Sequence, residues 1–129
     1  MDRRTAVDPV ATNANAGCEV SEEWSGSAAV VAAVGELDVL TAPRLQAGIE
    51  SAIQKNPAAV IVDLSGVVFL SSAGMAVLVA GREQAQARDI KFGVVASGPA
   101  TSRPLILIGL AEVIGMHASL AEAHAALGR

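Results

Sequence analysis

The sequence predicts a single α/β domain: a mixed, mostly parallel β-sheet with helices packed against it. Three observations carry that prediction. Two runs, 28–34 and 58–64, are continuously apolar and rich in β-branched residues, the pattern of strands covered on both faces. Between and after them apolar residues recur at helical spacing, and strands alternating with helices make βαβ units with right-handed crossovers. The chain has 129 residues, enough for one core and too few for two, and is 52% hydrophobic but only 2% aromatic, so that core is built from Ala, Val, Leu and Ile.

Residues 1–16 mix Asp, Arg, Thr, Asn and Pro without periodicity and read as a flexible N-terminal tail, leaving 17–129 as the domain. A first strand is expected over Cys18–Trp24, with Cys18, Val20 and Trp24 at even spacing, then a Ser25-Gly26-Ser27 turn and a second strand over Ala28–Val34. Gly35-Glu36-Leu37-Asp38 reads as a turn-like exit. Thr41 is a good N-cap with Pro43 inside the first helical turn, and Leu45, Ile49 and Ile53 form one buried stripe of a helix running to about Lys55. Asn56-Pro57 stops it. Ala58–Leu64 follows as a central parallel strand ending around Asp63, then a Ser65-Gly66 turn and the apolar stretch Val67–Leu70.

The next helix is expected to open at Ser71 or Ser72, with Met75, Leu78, Val79 and Arg82 along one side, and to end near Arg88-Asp89. Ile90–Val95 is the next strand and Ala96–Ser102 a loop. A helix over Arg103–Leu110, a short strand over Val113–Met116, and a final helix from the capping box Ser119-Leu-Ala-Glu122 to Leu127 complete the chain, with Gly128 as its stop.

Composition excludes several functions. The net charge is −4 with a pI near 5.0, there is no Lys/Arg cluster, and Phe, Trp and Tyr number two, one and none; both the electrostatic footprint and the stacking platform for nucleic acid are missing. The longest apolar runs fall far short of the roughly 20 residues a membrane-spanning helix needs, and no apolar signal-peptide core follows Arg3 and Arg4. A soluble, cytoplasmic protein without membrane contact is expected. Cys18 is alone, so no internal disulfide can form, and it is given no role.

Enzymatic motifs are also lacking. A hydrolase elbow needs Gly-x-Ser-x-Gly, whereas Leu70 and Gly74 flank Ser72, and His117 and His124 are placed at a strand end and on an exposed helix face. No phosphate-binding Gly-x-x-x-x-Gly-Lys-Ser/Thr loop occurs, and two scattered His with one Cys make no metal cluster, so no cofactor is expected. A phospho-aspartate receiver would use Asp63, but the first strand is followed by no acidic pair to hold Mg²⁺.

Two motifs remain: Gly35-Glu36-Leu37-Asp38 before the first helix, and Val62-Asp63-Leu64-Ser65-Gly66-Val67 leading to Phe69-Leu70-Ser71-Ser72-Ala73-Gly74-Met75. In order and spacing they resemble the anti-sigma factor antagonist branch of the STAS domain family, over about 17–127. The resemblance implies a non-enzymatic regulator that binds an anti-sigma factor with serine kinase activity while unphosphorylated, so releasing a sigma factor. It places the phosphate acceptor two positions before the motif glycine, at Ser72, with Ser71 the alternative; Ser71 stands where many members carry Asp, and Ala73 where many carry a second Ser or Thr. The partner surface it implies includes Asp38, Thr41, Ser71, Ser72, Gly74 and Met75, and ATP and Mg²⁺ belong to the partner kinase. Other readings are a STAS-like module that binds its partner constitutively and a small-ligand-binding domain.

The residues have plainer readings too. A serine opening a helix is commonly a structural cap, which is how Thr41 and Ser119 also read; Gly74 permits close packing, Met75 fills the core, and Asp38 is a turn acid. A phosphoserine carries a charge of about −1.5 to −2 and is well tolerated at a helix N-terminus, so modification changes the exposed surface rather than the fold.

Overall fold

The computed structural model of the chain describes residues 17–128, so the proposed tail, 1–16, lies outside the described residues. In chain order the elements are β1 (Cys18–Ser25), β2 (Ala28–Leu37), α1 (Ala42–Gln54), β3 (Ala59–Leu70), α2 (Ser72–Gln86), β4 (Lys91–Val95), α3 (Ser102–Leu107), α4 (Ala111–Ile114), β5 (Met116–His117) and α5 (Leu120–Leu127). The strands form one sheet in the order β1-β2-β3-β4-β5. A two-residue turn at Gly26-Ser27, with Gly26 at φ 61°, sets Ser25 opposite Ala28 and makes β1-β2 antiparallel. The β2-β3, β3-β4 and β4-β5 pairs are parallel. The expected mixed, mostly parallel sheet is the observed one.

Helices α1 and α2 cover one face of the sheet, where Val31, Leu45, Ile49, Val60, Val62 and Leu78 meet in the main core. On the other face Val30, Ile61 and Val95 pack against Ala123 of α5, with Leu120 and Leu127 beside them. Coverage on both sides is why the central strands read as continuous apolar runs rather than alternating ones.

Several sequence-based expectations need correction. Neither β2 nor β3 ends where its turn residues suggest. β2 continues through Gly35-Glu36 to Leu37, and β3 runs through Ser65-Gly66 as one strand to Leu70, so the predicted turn is an irregularity in a continuing ladder. The surplus residues are absorbed by register shifts between Ala32 and Val34 and between Gly35 and Glu36, while Asp63 Oδ1 accepts hydrogen bonds from the Ser65 amide at 2.9 Å and hydroxyl at 2.6 Å.

Helix α2 buries Gly74, Leu78, Gly81 and Ala85, and Met75 and Val79, half-buried, pack against the same core. The helix lies so close to its neighbours that a Cβ on Gly81 would sit 3.2 Å from Ile49 Cγ2. At the C-terminal side, a strand was expected over Val113–Met116, but Val113 and Ile114 belong to a helical turn, left-handed Gly115 (φ 73°) ends it, and β5 is only Met116–His117. His124 is buried rather than exposed, its Nδ1 3.3 Å from the Gly128 carbonyl oxygen. Among the described residues no helix is long and apolar enough to cross a membrane.

Candidate functional site

Parallel strands that turn into helices on one face deliver their C-terminal ends to one edge of the sheet, and both sequence motifs lie there. β2 leads through Asp38-Val39-Leu40 into α1, and β3 leads through Ser71 into α2. Leu37 and Leu70 are register partners in the ladder, and the Ser71 amide donates to the Leu37 carbonyl at 2.8 Å, which ties the two loops together.

Asp38 and Thr41 build the first loop as a hydrogen-bonded box. Asp38 Oδ1 accepts from the amides of Leu40 at 2.9 Å and Thr41 at 3.0 Å; the Thr41 hydroxyl accepts from the Asp38 amide at 2.9 Å and donates to the Glu36 carbonyl at 2.6 Å. Thr41 is the N-cap residue of α1, as expected, but its side chain makes no cap hydrogen bond to the helix and is instead spent on Asp38 and Glu36. These bonds, led by that from the Thr41 backbone, hold the Asp38 carboxyl below its ordinary pKa. A carboxylate depressed in the folded state contributes stability above its unfolded pKa of about 3.9, and that contribution disappears as pH falls through the folded value. The stability advantage of the wild type over Asp38→Asn is accordingly expected to shrink below about pH 4, which urea titrations at a series of pH values would read.

The serine pair divides by geometry. Ser71 is the N-cap of α2, extended at φ −86° and ψ 172°, and its Oγ accepts from the Gly74 amide at 3.3 Å. Ser72 is the first helical residue, exposed, and its hydroxyl makes no hydrogen bond with a described residue. Ser71→Ala is expected to cost about 1 kcal/mol and Ser72→Ala less than about half of that; equal losses in chemical denaturation would contradict this division of roles.

Thr41 and Gly74 lie buried, Asp38 and Met75 are half-buried, and Met75 packs against the main core. A Cβ on Gly74 would come within 2.8 Å of Leu70 Cδ1 and 3.2 Å of Leu37 Cβ, so the glycine lets α2 start directly against the end of β2. Of the six residues singled out in the sequence, Ser72 presents itself most fully to solvent, and the others shape the surface from beneath or beside it. Sequence reasoning passed over Val39 and Leu40, which stand 73% and 82% exposed at the tip of the first loop. An apolar pair between two capping residues was the available signal.

Cys18, at the start of β1, is buried, and burial pushes its thiol pKa up. Among the described residues no group of three or more His, Cys, Asp or Glu is placed to hold a metal ion.

Residues 20–123 match the model of the STAS domain. The chain is 40% identical over 95 residues to the anti-sigma-F factor antagonist RsfB of Mycobacterium tuberculosis, an alignment covering 74% of this chain and 77% of that protein. The crystal structure of an anti-sigma factor antagonist from Mycobacterium paratuberculosis superposes with a TM-score of 0.82 at 36% identity, covering 89% of this chain and 97% of that one. SpoIIAA in its unphosphorylated form shares the fold at a TM-score of 0.69 and 20% identity, over 86% of this chain and 98% of that one. The Bacillus SpoIIAA in its phosphorylated form does so at 0.62 and 19%, over 84% and 98%. The chain belongs to the STAS domain family, in the branch of the anti-sigma factor antagonists.

Proposed function

We propose that this protein captures an anti-sigma factor when unphosphorylated, so that a sigma factor is released, and that phosphorylation of Ser72 by a serine kinase activity of that same partner ends the capture. The observation that carries the reading is the placement of Ser72: exposed, at the first position of α2, with its hydroxyl bonded to no described residue. Its neighbour Ser71 is already engaged as the cap, its Oγ accepting from the Gly74 amide. The likeness to RsfB supports the choice of partner class. The domain, 17–129, performs no chemistry of its own in this reading; ATP and Mg²⁺ belong to the kinase, and the exchange takes place in the cytoplasm.

Phosphate at Ser72 sits at a helix start, where free N–H groups and the helix dipole favour negative charge, so the fold tolerates it. What changes is the surface offered to the partner. The test is binding of the anti-sigma factor to Ser72→Ala and Ser72→Glu. Ser72→Ala is expected to bind like the wild type and Ser72→Glu about a hundredfold more weakly, about 2.7 kcal/mol; equal affinities would contradict a charge switch at this position.

A further inference from the structure

The loop that carries Asp38 does more than tie two strands together. It raises Val39 and Leu40, 73% and 82% exposed, and no other large apolar side chain among the described residues is as exposed as Leu40. This exposure is not that of a slack loop: the Leu40 amide is held by Asp38 Oδ1 at 2.9 Å, and the Thr41 box fixes the next residue. Ordering such a tip costs little at the moment of binding because it is already in place.

Behind the tip a trough of about 380 Å³ runs between α1 and α2, lined by Val39, Pro43, Ala73, Ala76, Val77 and Ala80 among others, with no charged side chain in its wall. Its lining begins at Ala73, next in sequence to Ser72. The Val39-Leu40 knuckle thus meets the trough at Val39, and the acceptor Ser72 directly precedes the α2 end of its wall.

This surface bears on how a phosphate could end capture. A partner with an acidic face opposite Ser72 would already be disfavoured by a chain of net charge −4. An uncharged apolar face is what the knuckle and trough complement. Resting on the reading that the chain captures an anti-sigma factor, we propose that Val39 and Leu40 anchor an apolar surface of that partner, which fills the trough. Phosphate on Ser72 then blocks the complex because a charge is stripped of water against this contact, not because it repels an acidic group. Burying a charge without a partner is unfavourable whatever the ionic strength, whereas repulsion between solvated charges weakens as salt is added.

The two mechanisms separate in one titration series. The full chain, Leu40→Ser, Val39→Ser and Ser72→Glu are each titrated with the anti-sigma factor of the same genome at about 50 and 500 mM NaCl, where the screening length differs about threefold. Far-ultraviolet circular dichroism checks that each variant is folded, which the exposure of both side chains leads us to expect. Leu40→Ser is expected to bind about tenfold more weakly at both salts. The penalty of Ser72→Glu is expected to stay within about threefold of itself between them. A Ser72→Glu penalty that collapses at high salt would overturn the proposal in favour of repulsion, and wild-type affinity in both Leu40→Ser and Val39→Ser would overturn the apolar anchor. Both results leave anti-sigma capture standing; a wild-type chain that binds no anti-sigma factor at either salt sinks that reading and this one together.

Discussion

Gly35→Ala is expected to lower the stability of the domain by about 3 kcal/mol, from a strained backbone and an overpacked contact together. Gly35 is held at φ +115°, a conformation that side chains rarely adopt. A Cβ there would strike the Gly17 carbonyl, which accepts the Glu36 amide at 2.6 Å, so neither partner can move aside without breaking the entry of β1. Gly35 also sits at one of the two register shifts between β2 and β3, the shift that brings Leu37 level with Leu70 and the two loops together. The loss is therefore expected to reach both loops at this end of the sheet as well as the melting curve. A change below about 1 kcal/mol in urea unfolding would show that the strain is relieved elsewhere.

Leu37→Ala is expected to cost about 3 kcal/mol, within the range for emptying a fully buried leucine site. Leu37 has no exposed surface, packs in the main core, and lies against Gly74, while its carbonyl receives the Ser71 amide at 2.8 Å. Removing its side chain hollows the floor beneath both loops. Hydrogen exchange of the Ser71 amide is expected to quicken more than that of the Val62 amide in mid-sheet, because the cavity opens at the sheet's edge. Equal acceleration at the two amides would mean that the loops are not supported through Leu37.

These residues also show what could be read in the chain beforehand. The stripe Leu45, Ile49, Ile53 announced α1 because one large apolar residue falls on each turn, and all three are buried. α2 hid its buried face, since Gly74, Gly81 and Ala85 pack by being small and no apolar count registers them. The true ends of β2 and β3 were concealed for a different reason. Gly35 and Ser65-Gly66 have turn chemistry, but pairing across the ladder, a non-local effect, keeps both strands going. In the C-terminal part, Val113 and Ile114 carry β propensity, yet left-handed Gly115 closes a helical turn there.

The site was legible to the same uneven degree. The motif spacing located both loops and marked Ser72 through the position of Gly74. Which serine caps and which stands free is a matter of φ, ψ and the distance from Oγ to the Gly74 amide, 3.3 Å from Ser71. That the Thr41 hydroxyl turns back to Asp38 and Glu36 instead of to the helix amides was likewise out of reach, because such a side chain can bond either way and only the geometry decides.

In the proposed switch Ser72 is the exposed acceptor and Ser71 its structural neighbour. Its most direct test is to incubate the full chain with the serine-kinase anti-sigma factors of its own genome and ATP, and to map the phosphate by mass spectrometry on the wild type, Ser71→Ala and Ser72→Ala. Phosphate is expected on Ser72 in the wild type and in Ser71→Ala, and none in Ser72→Ala. Phosphate confined to Ser71, or absent from both serines with every cognate kinase, would contradict it.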